Sequence, residues 1–252
     1  MQSRILRELD GVPFRKDSVG KSGAEVRLYK DRVLKIEPCS VSADNEYAMM
    51  QWLHDRLPVP EVLDREVFDG NSYLLMSRLQ GSMIGIQKMK EQPMLLVQIL
   101  VDTLRMLWSV DVTDSPCKDM LTFSLDIAKD SVARGLVDVD NVEPETFGEG
   151  GFESPKELLD WLISNRPKDD ELVLSHGDCV PQNILMVGDK PCGIIDLGRC
   201  GIADKWKDIA LCCRSIEWHT GRKAYVDAFL GMLGVEPDYA KIRYYRLLDE
   251  LL

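Results

Sequence analysis

An apolar run, Leu172-Val173-Leu174, leads into His176-Gly177-Asp178. Asn183 follows five residues after that aspartate, just before a second apolar run, Ile184-Leu185-Met186. A further aspartate, Asp196, closes the apolar stretch Gly193-Ile194-Ile195. These spacings predict three oxygen-bearing side chains at the ends of adjacent short strands. Such a set suits phosphoryl transfer, where Asp178 can accept a hydroxyl proton or orient the hydroxyl. Asn183 and Asp196 can hold Mg²⁺ against nucleotide phosphates. Mg²⁺ takes a few hard oxygen ligands and keeps several waters, so these two protein ligands suffice. The five-residue step lets one loop turn its aspartate to the nucleophile and its asparagine to the metal.

Upstream, "RVLKIE" places Lys35 in a strand, and Glu46 follows in a helical segment. A strand lysine on the phosphates, held by a helix glutamate, completes a kinase-type set. No G-x-x-x-x-G-K-[ST] phosphate loop occurs. The small-residue stretch "SVGKSGA" (18–24), with Ser18 and Ser22, can lie over phosphates with its backbone N–H groups. Taken singly, each piece has an ordinary reading: a turn, a surface lysine, a solvated helix glutamate. Their shared order and spacing argue against coincidence.

The elements that must position these residues change character along the chain. "AEVRLYK" and "RVLKIE" read as a hairpin around a tight Lys-Asp turn. "NEYAMMQWLHDRL" (45–57) spaces Tyr47, Met50, Leu53 and Leu57 as a helix does. "VPEVLDREVFDGNSYLLMSRL" reads as two strands around "DGNS". Gly81 then marks a boundary between a β-rich lobe, 1–80, and an α-rich lobe, 81–252. Residues 94–110 are apolar nearly all round, which predicts a core helix. Residues 138–153 are acidic and rich in glycine, which predicts a loop or lid. Ser154, Pro155 and Glu157 form a capping box for a following helix. Strand-turn segments at 172–187 and 192–197 precede three closing helices. The expected class is α+β, with a hairpin carrying the polar loops between the lobes.

Composition narrows the partners. The 252 residues carry a net charge of −11. That charge argues against nucleic acid and suits a cationic partner. The opening "MQSRILRELDG" has no apolar signal core. Every apolar run falls well short of the length that a membrane span needs. A cytoplasmic protein without a membrane partner is expected. The seven cysteines form no C-x-x-C pair, and the three histidines, His54, His176 and His219, are scattered. Reduced thiols in or near the core are expected rather than disulfides or zinc.

The stretch "LSHGDCVPQNIL…GIIDLGRCGIADKWKDIALCCRSI", with "LPVPEVL", "SVDVTDSPC" and the ending "YYRLLDELL", resembles the aminoglycoside phosphotransferases, and most closely their 3′-phosphotransferase (kanamycin kinase) subgroup. The resemblance spans roughly residues 15–252 and implies a protein-kinase-like two-lobe fold using ATP, with GTP as the alternative nucleotide, and Mg²⁺. It carries Asp178 as catalytic base or orienter, Asn183 and Asp196 as metal ligands, and Lys35 with Glu46 as the phosphate-positioning pair. It implies hinge bonds to adenine from Ser77 and Leu79, with Met76 behind them. Asp208 and His176 would brace the catalytic loop, and Arg199 would stand beside it. For the polycationic antibiotic the resemblance offers Asp249, Glu250, the carboxylate of Leu252, Glu217, and Glu143 or Glu145 of the acidic loop. The chain departs from common family residues at Val33, Trp108, Trp218 and Leu252. Two rivals stay open at this stage: a kinase of another small hydroxyl compound, such as a macrolide or an amino sugar, and a nucleotide-binding pseudokinase. The sequence leaves the oligomeric state unset.

Overall fold

The computed structural model describes residues 2–17, 24–168 and 171–252. Ser18 and Ser22 therefore lie outside the described residues. The chain divides into two compact units, Met1–Ile84 with Gln182–Cys200, and Gly85–Pro181 with Gly201–Leu252. The expected single cut at 80/81 differs from this division. The observed first cut falls at Ile84, and the segment 182–200 returns to the first unit.

The first unit opens with α1 (Arg4–Glu8), β1 (Arg15–Lys16), β2 (Glu25–Leu28), β3 (Arg32–Pro38), α2 (Val41–Leu53), β4 (Val62–Phe68), β5 (Asn71–Ser77) and β6 (Ser82–Met83). Five strands form an antiparallel sheet in the order β1-β2-β3-β5-β4. Successive side chains on a strand point to opposite faces. In β3, Leu34 is fully buried in a cluster with Ile5, Leu9, Tyr29, Tyr73 and Leu75, and Ile36 packs against it. Lys35 and Glu37 must therefore share the other face, with Val33 and its register partner Met76.

Helix α2 begins at Val41, ahead of the expected Asn45, because Ser40 caps it by accepting the Ala43 N–H at 3.1 Å. It ends at Leu53, short of the expected Leu57, and the chain then turns toward Leu57-Pro58.

The second unit begins with α3 (Ile86–Glu91), α4 (Pro93–Trp108), α5 (Met120–Arg134), α6 (Pro155–Ser164) and β7 (Leu172–Ser175). Helix α4 buries Leu96, Ile99, Leu100, Leu104 and Leu107 completely, as its all-round apolar sequence requires. In α6 the Ser154 hydroxyl accepts the Glu157 N–H at 3.2 Å, and the Glu157 carboxylate accepts the Glu153 N–H at 2.6 Å. The reach-back bond thus goes one residue before the cap rather than to the cap itself.

A 3-10 turn, Pro181–Asn183, leads into the hairpin β8 (Ile184–Val187) and β9 (Lys190–Ile194), which with β6 makes a three-stranded sheet in the first unit. Gly81 holds φ at +115°, and a Cβ there would lie 2.8 Å from the Met186 carbonyl oxygen. Strand β6 therefore enters this sheet only with glycine before it. The second unit resumes with β10 (Gly201–Asp204), α7 (Trp206–Thr220), α8 (Lys223–Leu233) and α9 (Tyr239–Asp249).

The expectation that Asp178, Asn183 and Asp196 end adjacent strands is corrected here. Strand β7 pairs antiparallel with β10, Leu174 opposite Ile202, and not with β8. Three helices, α1, α3 and α5, were absent from the sequence reading. For α5 the signals were present. The Asp119 carboxylate accepts the Thr122 N–H at 2.9 Å. Gly135 ends the helix at φ 66°, the left-handed conformation of a glycine cap. Among the described residues no helix is long and apolar enough to cross a membrane. All seven cysteines are free thiols, four of them buried.

Candidate active site

In the first unit, Lys35 sits on β3 and Glu46 on the neighbouring α2. The Lys35 Nζ lies 2.7 Å from Glu46 Oε2, 3.3 Å from Asp196 Oδ1 and 3.3 Å from Glu37 Oε1. Burial opposes the charge on Lys35, yet Glu46, Asp196 and Glu37 outweigh it and hold the ammonium well above its ordinary range. Burial also pushes the Glu46 carboxyl upward against the pull of Lys35, and the charges of Asp196 and Glu37 add to the rise. We read the pair as ionised, because their separation of 2.7 Å is that of a charge-assisted hydrogen bond.

The hairpin places the two metal candidates. Ile184 pairs with Ile194, and the Ile195 N–H donates to the Asn183 carbonyl at 3.1 Å. Asn183 and Asp196 therefore flank the same end of one hairpin. Asn183 is buried, whereas the Asp196 side chain is 47% exposed. Asp196 holds φ at +63°. Residues other than glycine seldom adopt that conformation, and such residues gather at functional sites. Among the described residues no group of three or more His, Cys, Asp or Glu could hold a metal alone. One carboxylate and one amide oxygen fit Mg²⁺, which is bound by few protein ligands together with phosphates and water.

The expected hinge residues end β5 and follow it. Met76 is buried, and Ser77 and Leu79 are half-buried. The Ser77 hydroxyl accepts the Glu61 N–H at 2.9 Å, tying the strand end to the segment before β4. Leu79 packs on β9, where a Cβ at Gly193 would lie 2.7 Å from Leu79 Cδ1. Arg199 lies in the loop after Asp196. The Asn45 amide donates to the carbonyls of Gly198 and Cys200, at 3.1 and 2.9 Å, and so brackets Arg199 from α2. Asn45 was missed in the sequence. Its only signal is a polar residue, one before Glu46, on a helix face that proves buried.

In the second unit, Asp178 follows β7 in a tightly braced loop. The buried Asp208 carboxylate on α7 accepts the N–H groups of His176 and Gly177 at 2.8 and 2.9 Å. The Asp178 N–H in turn donates to His176 Nδ1 at 3.3 Å. Asp208 and His176 thus fix the backbone that presents Asp178, which is itself half-buried.

Three of the acidic candidates, Asp249, Glu250 and Glu143, converge on Arg214, a residue that sequence reasoning missed. Its guanidinium pairs with Asp249 and lies 3.3 Å from Glu250 Oε1. Glu143 of the acidic loop joins them: its N–H donates to the Glu250 carboxylate, and its charge acts on both Arg214 and Glu250. Leu252 lies beside them, its N–H donating to the Asp249 carbonyl at 3.1 Å. Glu217 is engaged elsewhere, with Arg246 at 2.8 Å. Glu145 is exposed. Of the departures from the resembled family, Trp218 is 84% exposed, and the Trp108 indole nitrogen is buried without a hydrogen bond.

A lysine on a five-stranded sheet paired with a helix glutamate, a braced aspartate after a short strand, and an Asn/Asp hairpin end define a kinase-fold phosphotransferase. The chain belongs to the phosphotransferase enzyme family, whose model matches residues 14–245. It is 40% identical over 248 residues to an aminoglycoside 3′-phosphotransferase of Enterococcus faecalis, covering 94% of this chain and 92% of that protein. The crystal structure of an aminoglycoside-3′-phosphotransferase of type VIII superposes with a TM-score of 0.79 at 26% identity, over 98% of this chain and 97% of that one. That of aminoglycoside phosphotransferase APH(3'')-Id from Streptomyces rimosus, in complex with ADP and streptomycin, superposes with a TM-score of 0.82 at 25% identity, over 98% and 95%. The α+β, protein-kinase-like fold expected from the sequence is the fold of these structures.

Proposed function

We propose that this enzyme transfers the γ-phosphoryl group of ATP to the 3′-hydroxyl of kanamycin- and neomycin-type aminoglycosides. The observation that carries the reading is the gathering of Glu143, Asp249 and Glu250 around Arg214, which leaves carboxylate charge in excess of guanidinium. An acceptor with several ammonium groups matches that surplus, and an apolar macrolide does not. The relative at 40% identity bears the 3′ name, which supports the choice of hydroxyl.

Each residue then has a role. Lys35, held by Glu46, contacts the nucleotide phosphates. Asn183 and Asp196 hold Mg²⁺, which would neutralise phosphate charge. The ADP in the Streptomyces rimosus structure supports an adenine nucleotide, seated by Ser77 and Leu79 with Met76 behind. GTP stands as the alternative. Asp178 orients the attacking hydroxyl and accepts its proton. We assign the nucleotide to the unit that contains Lys35, Asn183 and Asp196. Acceptor contacts fall to the unit that contains Glu143, Glu217, Asp249, Glu250 and Leu252. The reaction belongs in the cytoplasm, where ATP is at hand. A bulky phosphate in place of a hydroxyl adds repulsion toward ribosomal RNA, which would confer resistance.

An ADP-release assay with Mg-ATP across several acceptors tests the reading. We expect turnover on kanamycin and none on tobramycin, which lacks the 3′-hydroxyl. Equal rates on both, or turnover only on a macrolide, would overturn it.

The pH dependence offers a second check. Burial pushes the Glu250 carboxyl up to about 7, with Arg214 opposing and Glu143 adding to the rise. The folded chain therefore holds this proton more tightly than the unfolded chain. The contribution to stability is full below the ordinary value of 4.5 and is lost as pH rises through about 7. Binding an ammonium needs the ionised form, so acceptor affinity moves the opposite way. Between pH 6 and 8 the ionised fraction climbs from about a tenth to nine-tenths, and kcat/KM for kanamycin should rise roughly ninefold through this group. Glu250→Gln should remove that component. An unchanged profile in the variant would exclude Glu250 as its source.

A further inference from the structure

Glu37 has no place in the roles assigned above, yet it is one of the three carboxylates around the Lys35 ammonium. It stands two residues after Lys35 on β3 and so shares its face of the sheet. Its side chain is only 16% exposed, its Oε1 lies 3.3 Å from the Lys35 Nζ, and Lys35 is the partner it is turned toward. The contact is one of charge; the hydrogen bonds of Lys35 go to Glu46 and Asp196. Three carboxylates thus surround one ammonium, where a lysine–glutamate pair and one metal-binding aspartate would need only two. The formal charge of the cluster is −2, counting Glu37, Glu46 and Asp196 against Lys35.

We propose that Glu37 is a positioning residue that makes nucleotide binding depend on the metal. This rests on the reading that the Lys35 cluster receives the nucleotide phosphates. Glu37 and Glu46 hold the ammonium from two elements, β3 and α2, so it stays in place when Asp196 is drawn to a metal. The surplus negative charge of Glu37 meanwhile repels phosphates in proportion to their own charge. Metal-free ATP carries a charge of about −4 and its Mg²⁺ complex about −2, so by Coulomb's law the repulsion energy for the free form is about twice as large. Glu37 therefore disfavours the unproductive metal-free nucleotide more than the productive complex.

The test is nucleotide affinity by calorimetry on the full chain, with Mg²⁺ and with chelator, and no acceptor present. For Glu37→Gln we expect the Kd of Mg-ATP to fall about threefold and that of metal-free ATP about tenfold, as the doubled energy requires. The preference for the metal complex then shrinks about threefold. Glu37→Asp keeps the charge and should keep the preference for the metal complex. An unchanged metal preference in Glu37→Gln would overturn the proposal. So would equal weakening of both nucleotide forms with a lowered Tm, which marks a purely structural role. Because affinity is read without acceptor, these outcomes stand apart from a failure of the aminoglycoside assignment, which the acceptor assay reports.

Discussion

Asp178→Asn should lower kcat by about 10³-fold, within the range that a general base or orienter contributes. KM for kanamycin and for Mg-ATP should stay within about threefold of wild type, because the loss falls on the transition state alone. The substitution keeps the shape of the side chain and removes its capacity to accept a proton. The loop should hold: the Asp178 backbone N–H still reaches His176 Nδ1, and the N–H groups of His176 and Gly177 still reach Asp208. Steady-state kinetics beside a thermal melt separates the cases. A variant that folds normally and keeps a tenth of its turnover would remove Asp178 from the chemistry.

Asp196→Ala should cost as much by a different route. Asp196 supplies a carboxylate at the hairpin end beside Asn183, and it is also a hydrogen-bond partner of Lys35 at 3.3 Å. On the proposed metal role, its loss would remove the anchor for Mg²⁺ and leave the phosphate charge less well balanced. Electrostatic stabilisation of this kind is worth about 10² to 10³ in kcat for a single donor, and a metal ligand should exceed that. Adding Mg²⁺ at high concentration should restore only part of the rate. The backbone gives an independent readout. Asp196 holds φ at +63°. Alanine tolerates that conformation poorly, whereas asparagine tolerates it better. Both Asp196→Ala and Asp196→Asn should lose activity, but the asparagine variant should melt closer to wild type. Retained Mg-dependent turnover in either would refute the metal role.

The sequence carried some of this architecture and concealed the rest, for physical reasons that particular residues make plain. Alternation in "RVLKIE" places Lys35 on the face opposite Leu34 and Ile36, because strand geometry is local. The same alternation put Glu37 beside Lys35, yet a glutamate near a strand end reads as solvated until the fold shows its partner. Pairing between β7 and β10 skips the β8–β9 hairpin, and no local pattern encodes a pairing that skips elements. Arg214 and the acids it gathers come from α7, the 138–153 loop and the chain end, so only the tertiary fold unites them. Asn45 is a polar residue on a face that becomes buried, where hydrogen bonds to Gly198 and Cys200 satisfy its amide. By contrast, the braced Asp178 loop was legible, since His176, Asp178 and Asp208 stand in motifs shared with a known family.

Transfer to the 3′-hydroxyl is read most plainly from where the phosphate sits on the product. Kanamycin treated with the enzyme and Mg-ATP would be purified and its phosphorus–proton couplings read by NMR. We expect a single phosphate monoester, coupled to the proton on carbon 3′. A phosphate on any other carbon, or ADP release with unmodified kanamycin, would contradict it.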